Sequence, residues 1–123
     1  MDMKSRYNDK LNIWGVDLSG EIDIYNADKL RENLHELINK NPASINIDCK
    51  NLKYIDSTGL GVLVSALKKV KDYDGEVALK NLKPHIAKIF ELTGLSKIMK
   101  IEVDEKWLGI KLNSICLQEL NIY

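Results

Sequence analysis

The chain has 123 residues, 45% of them hydrophobic, which is enough for one domain with a single core built without metals or cross-links. Its 18 Lys and Arg balance its 18 Asp and Glu, so no net field of either sign draws it to nucleic acid or to an anionic membrane. The amino-terminal run MDMKSRYNDK has no apolar core, so a signal peptide is not expected, and the apolar-rich stretch from Leu60 to Leu67 is too short to span a bilayer.

In chain order, a short strand is expected near Lys4 to Tyr7, then strand material through Leu11, Ile13 and Val16 to Leu18, ending at Ser19-Gly20. Ala27, Leu30, Leu34, Leu37 and Ile38 then mark the apolar stripe of an amphipathic helix, with Asn26 as its cap and Asp28 in its first turn. That helix should stop between Asn39 and Pro42, because the residue before a proline is disfavoured in helical geometry. Ile45, Ile47 and Cys49 alternate with Asn46 and Asp48 as a strand, followed by an expected turn at Lys50 to Lys53 and then Tyr54-Ile55-Asp56.

Leu60, Leu63, Val64, Leu67 and Val70 form a second helical stripe. Lys68, Lys69 and Lys71 lie at its end, where cations suit the helix dipole, and no aromatic residues interleave them as a nucleic-acid surface would need. After a turn at Asp72 to Gly75, Val77 to Leu79 read as a buried strand. Pro84 opens a third helix through Ile86, Ile89, Phe90 and Leu92, and Gly94 is placed to end it. Ile98 to Val103 form a last strand, and Asp104 caps a terminal helix carrying Trp107, Leu108, Ile110 and Leu112. Strands alternating with helices over short connections imply an α/β domain with parallel neighbours and an antiparallel edge from the amino-terminal hairpin.

The chemistry concentrates in Tyr54-Ile55-Asp56-Ser57-Thr58-Gly59-Leu60-Gly61, where a strand end enters a helix through two hydroxyl residues and two glycines. Ser57 at that entrance either caps the helix, satisfying an orphan amide, or accepts a phosphate where free amides and the positive end of the dipole favour an anion. Gly59 and Gly61 would let another surface approach the backbone closely. Catalysis by the chain itself fits poorly. Asp-Ser-Thr-Gly is not a G-x-S-x-G elbow, His35 and His85 fall on amphipathic helices, and there is no G-x-x-x-x-G-K-[ST] phosphate loop. Cys49 and Cys116 stand apart without a Cys-x-x-Cys pair or neighbouring His, so no disulfide, zinc site or other metal or cofactor is expected and both thiols read as reduced bystanders.

Asp56-Ser57-Thr58-Gly59-Leu60-Gly61, together with Gly20-Glu21-Ile22-Asp23-Ile24-Tyr25-Asn26-Ala27, resembles the anti-sigma factor antagonists, a family of STAS domains. The resemblance runs from Leu11 to Val103 and includes Leu30-Arg31-Glu32 and Phe90-Glu91-Leu92-Thr93-Gly94-Leu95. It implies a four- or five-stranded mixed sheet with a parallel core and helices mainly on one face. Residues 1–123 would form one such domain, with 104–123 a divergent helix or tail.

The resemblance further implies a cytoplasmic regulator of transcription, not an enzyme, and a monomer when free. Its partner would be an anti-sigma factor serine kinase that binds the ATP and also holds a sigma factor. The unmodified antagonist binds that kinase and frees the sigma factor; phosphorylation at Ser57 releases the antagonist until a serine phosphatase restores it. Glu21, Asp23, Asp56, Thr58, Gly59 and Leu60 are the implied partner-binding residues, Thr58 is a second candidate acceptor, and Leu60 is alternatively core. The competing expectation is an unphosphorylated STAS interaction module of a lipid-transport system or a signalling scaffold. Neither scheme calls for direct contact with nucleic acid or a membrane.

Overall fold

The structure, a computed structural model, describes residues 1–104. Its elements are β1 (Asp2–Asn8), β2 (Ile13–Ile22), α1 (Ala27–Lys40), β3 (Ser44–Ile55), α2 (Ser57–Lys71), β4 (Val77–Leu82), α3 (Pro84–Leu92) and β5 (Lys100–Val103). The expected terminal helix through Trp107 and Leu112, the tail beyond it and Cys116 lie outside the described residues.

The five strands lie in the order β1-β2-β3-β4-β5, with β1 antiparallel to β2 and every later neighbour parallel. Because the chain steps one strand at a time in a single direction, right-handed crossovers place α1, α2 and α3 on the same face. The alternation in the strands matches that arrangement. Trp14, Val16 and Leu18 of β2, Ile45, Ile47 and Cys49 of β3, Val77 and Leu79 of β4, and Ile101 and Val103 of β5 are buried beneath the helices. On the other face Lys4, Asp17, Asp48 and Lys80 stand in register across four strands, a polar row that needs no cover.

The helices close the core with Leu30, Leu34 and Ile38 of α1, Val62, Leu63, Ala66 and Val70 of α2, and Ile86 and Phe90 of α3. The buried Trp14 ring keeps its polar end satisfied by donating from Nε1 to the Asn41 carbonyl at 3.0 Å. Gly94, at φ +79°, turns the chain after α3 in a conformation that a Cβ disfavours.

Three boundaries differ from the sequence expectation. β2 does not end at Ser19-Gly20 but runs to Ile22, bending through Gly20 at φ +86° where its pairing with β3 shifts register. The expected turn at Lys50 to Lys53 is instead the second half of a twelve-residue β3. Its inward positions become Cys49, Leu52 and Ile55, three apart, because the bulged pairing rotates the strand and breaks the two-residue alternation. β5 starts at Lys100, and Ile98, half exposed, follows a 3-10 turn at Leu95–Lys97.

Candidate functional site

The parallel strands share one direction, so the ends of β2 and β3 and the starts of α1 and α2 meet on one edge of the sheet, where Ile22 pairs with Ile55 and Glu21 with Tyr54. The Asp56 amide donates to the Ile22 carbonyl at 3.1 Å, joining the two loops by backbone.

Asp56, not Ser57, is the helix cap. Its Oδ1 accepts from the Gly59 amide at 3.0 Å and from the Thr58 hydroxyl at 2.5 Å. The Thr58 hydroxyl first, then the Gly59 amide, with smaller help from the Thr58 and Ile24 amides, hold the Asp56 carboxyl below its ordinary range, so it is ionised at neutral pH. Ser57 is thereby relieved of capping. It occupies the first position of α2, is exposed, and its hydroxyl has no hydrogen-bond partner among the described residues. Thr58 is half-buried and its hydroxyl is committed to Asp56.

The β2–α1 loop is fixed by its own side chains. Asp23 Oδ1 accepts from the Tyr25 amide at 2.9 Å and the Asn26 amide at 3.3 Å. Asn26 Oδ1 accepts in return from the Asp23 amide at 2.9 Å, and its Nδ2 donates to the Glu21 carbonyl at 2.9 Å. Asn26 does sit at the expected N-cap of α1, but its side chain makes no cap bond, having turned back into the loop. Asp23 is likewise spent on shaping the turn.

The predicted site residues divide accordingly. Glu21, Asp23, Asp56, Ser57 and Thr58 come together at this edge with Glu21 and Ser57 exposed. Gly59 and Leu60 are packed inside, Leu60 being 8% exposed. A Cβ on Gly59 would stand 2.6 Å from Ile55 Cγ1 and 2.7 Å from Ile22 Cγ2, so this glycine admits the molecule's own strands to the helix rather than a foreign surface. Gly61 meets nothing within 4 Å and lies open.

Three residues at this edge were missed in the sequence: Ile24, Tyr25 and Tyr54, exposed by 65%, 93% and 49%. For Tyr25 the signal was present, since it falls outside both the β2 alternation and the α1 stripe; Ile24 keeps the two-residue phase of Trp14, Val16, Leu18 and Ile22 and is exposed because β2 ends at Ile22 and the chain turns.

The other titratable candidates lie elsewhere. His35 Nε2 contacts Ser65 Oγ at 3.2 Å between α1 and α2. Because that hydroxyl donates to the Val62 carbonyl at 2.7 Å, the imidazole is the donor. His85 Nε2 lies 3.4 Å from the Lys53 carbonyl. Neither histidine is bonded to Ser57. Burial, then Asp48, pushes the Cys49 thiol up to about 12, so it is an inert core residue. Among the described residues no three His, Cys, Asp or Glu side chains gather as metal ligands, and no helix is long and apolar enough to cross a membrane.

The architecture and the site together define the class: the chain belongs to the STAS domain family, whose sequence model matches residues 8–106. It is similar to the anti-sigma-B factor antagonist of Bacillus subtilis (strain 168), 41% identical over 101 residues, covering 82% of this chain and 88% of that protein. It is also similar to the anti-sigma-B factor antagonist of Listeria monocytogenes serovar 1/2a (strain ATCC BAA-679 / EGD-e), 37% identical over 102 residues, covering 83% of this chain and 87% of that one. Among solved structures, the Bacillus cell fate determinant SpoIIAA in its phosphorylated form superposes with a TM-score of 0.63 at 21% identity, covering 88% of this chain and 97% of that one, a likeness of fold.

Proposed function

We propose that this chain is an anti-sigma factor antagonist whose switch is phosphorylation of Ser57. In the unmodified state it binds an anti-sigma factor serine kinase in the cytoplasm and displaces the sigma factor from it. The kinase, carrying the ATP, transfers the γ-phosphoryl group to Ser57 Oγ, which gives up its proton as the new O–P bond forms and ADP leaves. A serine phosphatase hydrolyses the ester and restores binding. The antagonist itself performs no catalysis.

The observation that carries this reading is the uncommitted Ser57 hydroxyl at the head of α2, with capping assigned to Asp56. Thr58, whose hydroxyl is already donated, is a poorer acceptor by the same geometry. Phosphorylation adds roughly −1.5 to −2 charge. Because the Asp56 carboxylate already holds the Gly59 amide, the phosphate is displayed outward, next to a fixed negative charge, where a docked partner would have to desolvate both. A hundredfold loss of affinity needs only about 2.7 kcal/mol. That is within the range of one buried like-charge clash, so refolding is not required.

The test is intact-mass analysis with peptide mapping after incubation with ATP and the cognate kinase. Wild type is expected to gain one phosphate, on Ser57, and folded Ser57→Ala none. Stable binding to an active kinase without phosphate transfer would instead favour a constitutive interaction module.

A further inference from the structure

The face that a kinase must cover to reach Ser57 also carries the most exposed aromatic side chain among the described residues' large hydrophobics, Tyr25 at 93%, next to Ile24 at 65%. An apolar pair left in water on a flexible loop would be unremarkable. This loop is fixed: four hydrogen bonds from the Asp23 and Asn26 side chains set the backbone from Glu21 to Asn26. The Asp56 amide donates to the Ile22 carbonyl at 3.1 Å, and from that bond Ser57 follows one residue on one segment while Ile24 and Tyr25 follow two and three residues on the other, at about 3.8 Å of Cα path per residue.

We propose that Ile24 and Tyr25 form a preorganised apolar anchor that the anti-sigma kinase accepts in an apolar pocket beside its catalytic site, with Asp23 and Asn26 serving as the scaffold of that anchor. The proposal rests on Ser57 being the kinase's substrate. A stable interface buries about 800 Å² per partner, a patch about 16 Å in radius, so an interface centred on Ser57 extends over the adjoining β2–α1 loop that carries Ile24 and Tyr25. Exposed tyrosines held in one backbone conformation lose little entropy on burial and concentrate binding energy. Phosphate on Ser57 and the apolar anchor therefore act separately: the anchor selects and holds the partner, and the charge ejects it.

The full chain carrying Tyr25→Ala, Ile24→Ala, Tyr25→Phe or Tyr73→Ala is titrated with the purified kinase by calorimetry, and the initial rate of Ser57 phosphorylation is followed against substrate concentration. Tyr25→Ala is expected to bind roughly 30-fold more weakly, about 2 kcal/mol. KM should rise with kcat preserved and the melting temperature unchanged. Tyr25→Phe keeps most of the affinity, and Tyr73→Ala, at an exposed tyrosine on the turn after α2, keeps all of it. Wild-type binding and phosphorylation with Tyr25→Ala within threefold of wild type would overturn the anchor alone. Absence of wild-type binding would overturn the phospho-switch as well. Replacing Tyr25 with p-benzoylphenylalanine adds a second readout. A photo-crosslink to the kinase supports the anchor, and one to a second copy or within the same chain, with kinase present, overturns it.

Discussion

Replacing Gly59 by alanine puts a methyl carbon 2.6 Å from Ile55 Cγ1, 2.7 Å from Ile22 Cγ2 and 3.1 Å from Ile55 Cδ1. Both isoleucines are core residues, at 2% and 0% exposure, with no solvent side into which to retreat. Overpacking of this kind costs about 1–3 kcal/mol. The better helix propensity of alanine returns about 0.8–1 kcal/mol, so the net is a destabilisation of about 0–2 kcal/mol, with the centre near 1. Gly61, in the same helix two residues on, provides the internal control. Its Cβ would meet nothing within 4 Å, so Gly61→Ala should stabilise by about 0.5–1 kcal/mol through propensity alone. Urea unfolding measures both, and with m of about 1–3 kcal/mol/M the two midpoints should move in opposite directions by some tenths of a molar. A Gly59→Ala variant as stable as Gly61→Ala would refute the assignment of Gly59 to packing between α2 and the ends of β2 and β3.

Two further predictions concern charge. Because Asp56 titrates below its ordinary value of 3.8, its cap contribution is complete above that pH and is lost as pH falls through the lowered folded value. The stability gap between wild type and Asp56→Ala in acid denaturation should accordingly be constant at neutral pH and close below about pH 3.8, and a gap that instead narrows near neutrality would contradict the cap. Asp56→Asn, which can still accept from the Gly59 amide, should unfold between the two.

His35 is held below its ordinary 6.5 by burial first, then by Lys69 and Arg31. The unfolded chain therefore takes up a proton before the folded one, and His35 costs stability progressively as pH falls below 6.5. Its imidazole resonances in NMR should titrate with a midpoint under 6.5, and His35→Gln should flatten the stability profile on that side.

Much of the fold was legible because periodicity survives in the sequence wherever one face is buried. The stripes at Leu30, Leu34 and Ile38 and at Leu63, Val70 and their neighbours name the helices. The alternation Ile45-Ile47-Cys49 names the strand between them, and Pro84 and Gly94 punctuate α3. The Asp-Ser-Thr-Gly run also marked the candidate site without coordinates. Which of its residues does what was not legible, since a carboxylate and two hydroxyls in succession all suit a helix start and only the backbone geometry of Asp56 decides that it takes the Gly59 amide.

The sequence by itself determined the helices, the apolar faces they bury and the segment that forms the candidate site, because local spacing of side chains is a one-dimensional property. The tertiary structure alone decided three matters that depend on a neighbouring strand. Lys50 to Lys53 continue β3 because β2 is there to pair with them. Gly59 is a packing glycine because Ile22 and Ile55 converge on it from two strands. Ser57 is left free because the end of β2 and the start of α2 meet at Asp56, which accepts the duties that a serine would otherwise perform.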